Sequence, residues 1–363
     1  MDEITGVLSW AGADAAARSV HDRYLDLLVE KLRMTIGAIA ERADRGRIEA
    51  AMSGLSEEGF GRFLAAPETC RRIVWGGVRA KETAGFIAAS LEAEAAREGG
   101  AQKFAQETWT ALGDVGFLPG GGRIEWPRVE AMMPLDFGSP RAREMDLAGR
   151  EFALPHPRPA YGRDEVDRAF EKIRRALDGI RSASRAAAAF AARFNKVVVV
   201  QHDASDPARC SSGSNAQFVG RSFITNVESD EVPVELIAEA VIHEGIHGLL
   251  YMHQIVEGWG PEAVIHDQTP RVASPWTGTP LPVRSLMEAA FVWYGLVHFW
   301  CESLARNIFE PAIVRRRIAR ALGGFLKDPL PDMIAPEYRA LIGRDVLDAL
   351  AGAQARVREA FAR

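Results

Sequence analysis

The segment from residue 241 to residue 249 carries the side chains of this sequence that are best suited to chemistry. It contains two histidines four residues apart, His243 and His247, and Glu244 follows the first of them directly. Four residues make about one turn of an α-helix, so both imidazoles are expected on one face, one above the other. Two imidazoles at this spacing can bind one metal ion. The sequence therefore predicts a metal site on a helix.

A site with two histidines needs a third protein ligand, and Glu288 is the best candidate. It lies in an apolar stretch of the next long helix, where a carboxylate is costly unless it is paired or bound to a metal. An ion pair with Arg284, one turn earlier, is the alternative, and the two arrangements can coexist. Three further histidines are less favoured as ligands: His253, His266 and His298.

Two kinds of enzyme use such a ligand set. In zinc peptidases the Glu of the motif, here Glu244, is the general base that activates a metal-bound water. In non-haem iron(II) oxygenases two His and one carboxylate occupy one face of the metal and leave positions for a co-substrate and oxygen. A third possibility is a metal-stabilised protein that binds a peptide without turnover. The ligand set alone does not decide among the three.

The rest of the chain must position this motif, and its pattern is mostly helical. An apolar stripe at spacings of three and four runs through residues 12–48. After a proline-rich run at 154–159, which forces an extended backbone, a long Ala- and Arg-rich helix is expected to end near Phe194. We therefore expect an α+β protein, mostly α-helical, with an N-terminal helical region at 1–160 and a metal-binding domain at 161–363.

A small β element is expected beside the motif helix. Residues 196–200 and 218–227 have the apolar, β-branched character of buried strands, and residues 210–215 between them are expected to form a polar loop. The motif helix is expected to begin at residue 230 or 231 and to end near residue 257. A last long helix is expected at about 283–305.

The composition excludes some classes of protein. The 363 residues include 44 basic and 49 acidic side chains, a net charge of −5, which creates no strong field for nucleic acid or an anionic membrane. Residues 315–317 and Arg320 are arginines in a helical pattern and are expected to form a solvated face. Three cysteines are too few and too scattered for a disulfide framework. No secretory signal or membrane span is evident, so a cytoplasmic protein is expected.

The stretch from residue 211 to residue 300 resembles the 2-oxoglutarate-dependent peptide β-hydroxylase family that carries a His-Glu-x-x-His motif. Three local patterns carry the resemblance: a Ser-rich loop before a Gly-containing strand at 211–220, the motif helix at 240–250, and a Ser-Pro-Trp tripeptide at 274–276. The chain has Glu288 where the family often has His. It also has Thr277 and Leu281 in the region where the family tends to place an Arg.

The resemblance implies an iron(II)- and 2-oxoglutarate-dependent oxygenase that hydroxylates a side chain of a ribosomally made precursor peptide. His243, His247 and Glu288 would hold the iron, although such a site commonly binds zinc more tightly in a purified sample. Glu244 would orient a ligand or substrate instead of activating water. The far carboxylate of 2-oxoglutarate needs a cation, and a guanidinium can clamp it with two hydrogen bonds. The candidate cofactor-binding residues are Arg271, Arg284, Ser212 and Ser214, with Arg221 less favoured.

Overall fold

The computed structural model describes residues 1–11, 13–76, 79–99, 103–129, 133–142, 161–261 and 270–361. Within these residues the chain forms 14 helices and 10 short strands, so the protein is α+β and mostly helical, as the sequence predicts. Contacts group the chain into two compact units, each made of several segments. The first unit contains Met1–His21, Arg175–Phe194 and Val241–Arg363, and the second contains Asp22–Arg174 and Asn195–Ala240.

The grouping into units does not follow the order of the chain. The sequence prediction divides the chain at residue 160, next to the proline-rich run at 154–159, which lies outside the described residues. In the structure the segment Met1–His21 is grouped instead with Val241–Arg363, the C-terminal segment. An amphipathic helix packs against whichever partner buries its apolar stripe, and distance along the chain does not reveal that partner.

The N-terminal helices are shorter than the apolar stripe suggests. The stripe predicted over residues 12–48 is divided between two helices. The first ends at Gly37, a poor helix former, and the second begins at Arg42. Helix α2 continues from the first unit into the second. The helices of this part of the chain are α1 (Asp2–Leu8), α2 (Ala13–Gly37), α3 (Arg42–Ser53), α4 (Glu57–Leu64), α5 (Pro67–Ile73) and α6 (Ala80–Arg97).

The second unit contains the two larger sheets. Strands β1 (Thr108–Trp109), β2 (Val115–Phe117) and β3 (Arg123–Glu125) form one antiparallel sheet. The other sheet has the order β4-β5-β6-β8-β7, in which β5, β6 and β8 are parallel. Its strands are β4 (Arg128–Val129), β5 (Met133–Asp136), β6 (Val197–Gln201), β7 (Ser212–Ser214) and β8 (Arg221–Thr225).

Strands β6 and β7 bear on the sequence predictions in different ways. Every residue of β6 is buried, which fits the continuous apolar run of a parallel strand that is covered on both faces. Residues 212–214 were expected in a loop, but they pair with β8 as an edge strand. That prediction was wrong because an edge strand pairs through its backbone and does not need apolar side chains.

The described residues of the first unit are helical apart from a two-stranded ribbon. The long helix expected to end near Phe194 is divided at Ser184, whose hydroxyl accepts a hydrogen bond from the amide of Ala187 at 3.4 Å. The elements here are α7 (Arg163–Ala183), α8 (Arg185–Phe194), α9 (Val234–Glu257), β9 (Val272–Ala273), β10 (Pro280–Leu281), α10 (Val283–Ala305), α11 (Pro311–Phe325), a 3-10 helix (Leu330–Met333), α12 (Pro336–Arg339) and α13 (Arg344–Phe361). Helices α7 and α9 begin in the second unit.

Helix α10 lies at the centre of the first unit, packed against α1, α11 and α13. Two glycines allow close approach to the motif helix α9. A Cβ atom on Gly295 of α10 would lie 2.7 Å from Cδ1 of Ile246, and one on Gly248 of α9 would lie 2.7 Å from the carbonyl oxygen of Phe194. These contacts fix how the motif helix sits against its neighbours. No helix in the described ranges is long and apolar enough to cross a bilayer.

Candidate metal centre

The two histidines of the motif lie next to each other on α9, as their spacing predicts. Their ring centroids are 5.1 Å apart. The His243 side chain is 31% exposed and that of His247 is 17% exposed, although both lie in the middle of a helix that is otherwise largely buried. Both rings therefore reach solvent from an apolar setting, which is what a binding site requires.

Glu288 of α10 lies beside this pair and is held by two hydrogen bonds. Its Oε2 atom is 3.5 Å from Nδ1 of His247, the outer limit for a hydrogen bond. Its Oε1 atom accepts hydrogen bonds from Nε of Arg284 at 2.7 Å and from Nε2 of Gln254 at 2.9 Å. The ion pair with Arg284, which the sequence offered as an alternative, is therefore present. Metal ligation by Glu288 stays a prediction.

These contacts set the protonation states of the site. Burial lowers the pKa of His243 to about 4, and the positive charges of His247 and Arg320 act in the same direction. Burial also lowers the pKa of His247, but the carboxylates of Glu288 and Glu244 together outweigh it and raise that pKa above its usual value. Burial raises the pKa of Glu288, but the Arg284 guanidinium, together with His247 and Gln254, outweighs it and holds that pKa at about 2. Neutral imidazole and ionised carboxylate are the forms that bind a metal. The lowered pKa values of His243 and Glu288 therefore favour binding, whereas the raised pKa of His247 shifts it toward the protonated form, which does not bind.

The two imidazoles are suitably placed to bind a metal ion, but no third protein ligand in the described ranges is in position. Because Nδ1 of His247 faces Glu288, Nε2 is the atom that can coordinate, and a carboxylate behind a ligating imidazole commonly fixes its ring. Among the described residues, however, no three His, Cys, Asp or Glu side chains are placed to hold one ion together. A third protein ligand would require the Glu288 carboxylate to turn away from Nδ1.

Glu244 is placed for either of the roles that the sequence allows. Its side chain is only 1% exposed, and Oε1 lies 3.9 Å from Nε2 of His243. A buried carboxylate at this distance can orient a ligand bound beside the imidazole, or it can accept a proton from a bound water.

The other histidines considered as ligands lie in different settings. His253 is buried, and its Nδ1 accepts a hydrogen bond from Nε1 of Trp259 at 3.1 Å, a core contact. His298 lies nearly three turns along α10 from the predicted carboxylate ligand and packs edge-on against Tyr294, with ring centroids 4.6 Å apart. His266 lies outside the described residues.

The predicted cofactor-binding residues divide between the two units. Arg284 and Arg271 belong to the first unit, as the histidines do. The Arg284 guanidinium lies 5.5 Å from the ring centroid of Tyr251, and exposed Arg271 has its Nη1 3.5 Å from the carbonyl oxygen of Pro280. Ser212 and Ser214 belong to β7 of the second unit. Arg221 is also in the second unit, fully buried and paired with Glu68 and Asp136.

The Ser-Pro-Trp segment packs against α10 and α11. The Trp276 ring stacks on that of Trp293 with centroids 6.1 Å apart, and its Nε1 donates to the carbonyl oxygen of Ala321 at 2.8 Å. The Arg320 guanidinium lies 5.4 Å from the Trp293 ring centroid. Its charge also lowers the pKa of His243, so a cation lies within electrostatic reach of the motif.

Sequence reasoning missed Arg320 as a candidate. It is exposed, as a solvated face predicts, and so are Arg315 and Arg316 one turn earlier. What distinguishes it is its contact with Trp293, a residue of another helix. No local pattern in the sequence signals such a contact.

Comparison with known proteins adds no assignment. The chain matches no protein-family model, and no curated protein is significantly similar to it. The resemblance to peptide β-hydroxylases thus rests on the three local patterns in the sequence.

Proposed function

We propose that this protein is a metal-dependent oxygenase that hydroxylates a side chain of a ribosomally made peptide, in the cytoplasm, using iron(II), oxygen and 2-oxoglutarate. The observation that carries the proposal is the meeting of two separate parts of the resemblance at α10. His247 of the motif helix contacts Glu288 of α10, and Trp276 of the Ser-Pro-Trp segment stacks on Trp293 of the same helix. Patterns far apart in sequence are thus packed on one helix of one unit.

In this proposal His243, His247 and Glu288 hold the iron, which supplies positions where oxygen and the co-substrate bind. Arg284 and Gln254 donate hydrogen bonds to the Glu288 carboxylate and keep it ionised. Ligation would require this carboxylate to turn from Nδ1 of His247 toward the metal.

A cation near the site would bind the far carboxylate of 2-oxoglutarate. Arg271 and Arg284 are the candidates from the sequence, and the structure adds Arg320. In the described part of the chain Arg320 forms no ion pair, whereas Arg284 already binds Glu288. A guanidinium stacked on an indole ring keeps its hydrogen-bonding edge available to a carboxylate.

A zinc peptidase is the second candidate, and the position of Glu244 is compatible with it. The Glu244 carboxylate lies 3.9 Å from Nε2 of His243, a position from which it can take a proton from water. A metal-stabilised peptide-binding protein without turnover is the third candidate, and it has no such contact to support it.

Anaerobic reconstitution with iron(II) separates these functions. On addition of 2-oxoglutarate the oxygenase develops a metal-to-ligand charge-transfer absorption band, and on addition of oxygen it forms succinate. His243→Ala and His247→Ala should abolish both signals, while His202→Ala, a histidine of the second unit bonded to Glu228, should leave them unchanged. Absence of the band together with zinc- and Glu244-dependent peptide cleavage establishes the peptidase. Bound metal with neither activity indicates the binding protein.

The three arginines are compared in the same assay. Arg271→Ala, Arg284→Ala and Arg320→Ala are tested beside Arg316→Ala, an exposed arginine of α11. Replacing the residue that clamps the co-substrate should raise the KM for 2-oxoglutarate at least about tenfold, because a charge-assisted pair of hydrogen bonds is lost. An unchanged KM in all variants would exclude these side chains as the clamp.

A further inference from the structure

A pocket lies in the first unit, at the other end of α10 from Glu288. It has a volume of about 630 Å³, and the polar side chains that line it are Arg181, Arg185, Arg306, Ser182, Ser184 and Glu302. Glu302 is nearly four turns beyond Glu288 on the same helix, which corresponds to about 20 Å. This arginine pocket is therefore distinct from the candidate metal centre.

Positive charge dominates the arginine pocket, because three guanidinium groups face a single carboxylate. Arg181 forms an ion pair with Asp178 at 3.0 Å. Arg185 and Arg306 form none with any residue that the structure describes. Like charges gathered around a concave surface favour a bound anion.

The wall of the arginine pocket contains Trp10, which is held in one position by its neighbours. Trp10 lines it and is 3% exposed, and its Nε1 donates a hydrogen bond to the carbonyl oxygen of Gly295 at 3.0 Å. Its ring packs edge-on against Phe190, with centroids 5.1 Å apart. Trp10 also has a φ of 60°, a left-handed conformation that a bulky residue adopts only when its surroundings hold it there.

We propose that the arginine pocket binds a small, multiply charged oxyanion that also carries an amine or hydroxyl group. Arg185 and Arg306 would clamp the phosphate or carboxylate groups through paired hydrogen bonds, and Ser182 would add a hydroxyl donor. Glu302 repels a bare anion but accepts a hydrogen bond from an amine or hydroxyl. A phosphate ester of an amine and a hydroxylated polycarboxylate share this chemistry. Such a ligand is independent of the metal centre and of the proposed oxygenase.

Isothermal titration calorimetry of the full chain with O-phosphoethanolamine, citrate and inorganic phosphate tests the proposal, with acetate and matched sodium chloride as controls. O-phosphoethanolamine or citrate should bind saturably and more tightly than inorganic phosphate, and the probe that binds identifies the acidic group. In the double variant Arg185→Ala/Arg306→Ala the affinity should fall at least about tenfold. Arg315→Ala/Arg316→Ala removes the same charge from an exposed part of α11 and should bind as the parent does. Thermal unfolding establishes that each variant is folded.

Glu302→Gln keeps the shape of the pocket and tests the role of its carboxylate. It should raise the affinity for inorganic phosphate. The ratio of the affinity for O-phosphoethanolamine to the affinity for inorganic phosphate should therefore fall. His243→Ala should leave binding unchanged, which separates this site from the metal centre. The proposal is overturned if neither O-phosphoethanolamine nor citrate binds saturably. It is also overturned if the two double variants lose affinity equally, because the effect is then one of net charge alone.

Discussion

Arg221 in the second unit and Arg284 in the first each bind a buried carboxylate, but their surroundings differ. Arg221 is 0% exposed, and it binds Glu68 at 2.9 Å, Asp136 at 3.1 Å and the carbonyl oxygen of Leu112 at 3.0 Å. Each edge of its guanidinium is thus used by the protein itself. This closed cluster leaves no group available for a ligand.

The cluster around Arg284 is open on one side. The Glu288 carboxylate is held by Arg284 and Gln254, and the imidazole of His247 also lies beside it. That ring is 17% exposed, and the ring of His243 beside it is 31% exposed. Similar residue types therefore form a closed ion-pair cluster around Arg221 and support an accessible imidazole pair beside Arg284. What separates the two is whether a coordinating atom still faces solvent.

The largest expected effect comes from opening the closed cluster. Arg221→Ala leaves Glu68 and Asp136 buried without their cation, which should lower the free energy of unfolding by about 3–5 kcal/mol. Urea denaturation measures this change. Arg123→Ala is the matched control in the same unit, because it removes an exposed ion pair with Glu125 that contributes at most about 1 kcal/mol. Similar losses in both variants would refute the distinction between closed and exposed pairs.

A second closed cluster in the same unit should depend on pH. Arg62 and Arg128 bind the buried carboxylate of Asp114, and although burial raises its pKa, the two guanidinium groups outweigh burial and hold the pKa below its usual value. Its stabilisation is therefore present above the pKa of an unfolded Asp, about 3.9, and is lost as the pH falls through the lower folded value. The nearby carboxylate of Glu94 shares Arg62.

Asp114→Asn should therefore lower the free energy of unfolding at pH 7 by about 1.5–3 kcal/mol, the contribution of hydrogen bonds to a charged group. The difference from the parent protein should shrink as the pH falls below about 4. Chemical denaturation at a series of pH values measures it. A difference that stays constant down to pH 2 would mean that Asp114 does not titrate as its partners require.

In the open cluster, Glu288→Gln should weaken metal binding about 10- to 100-fold, since a carboxylate that fixes or supplements an imidazole ligand is lost. Competition with a chromophoric chelator measures the affinity. X-ray absorption spectroscopy of the metal-loaded parent then shows whether a carboxylate oxygen lies about 2.0–2.2 Å from the ion. An unchanged metal affinity would show that Glu288 only forms the ion pair with Arg284 and does not support metal binding.

The smallest expected effect is that of Gln254→Leu. It removes one hydrogen bond to a carboxylate that Arg284 continues to hold, so metal affinity should fall by less than about tenfold. The same chelator competition measures it. A loss as large as that of Glu288→Gln would mean that Gln254, and not the ion pair, determines the position of the carboxylate.

Local pattern in the sequence determined much of this protein. The spacing of His243 and His247 predicted two imidazoles on one helical face, and the structure has them there. The expected helix at about 283–305 agrees with α10 (Val283–Ala305), and the run of valines at 197–200 predicted a buried strand. These features follow from residue periodicity and side-chain type, which act over a few neighbouring residues and can be seen in a single chain.

Only the tertiary structure decided which side chains meet. Arg221 and Arg320 are both arginines of predicted elements, yet one is closed off by Glu68 and Asp136 and the other lies exposed on Trp293. The meeting of Glu288 with His247 likewise depends on how α9 and α10 pack. Contacts between segments distant in sequence arise from the burial of apolar faces, which is non-directional. Charged residues on those segments are brought together by this packing, so no local sequence pattern predicts which of them meet.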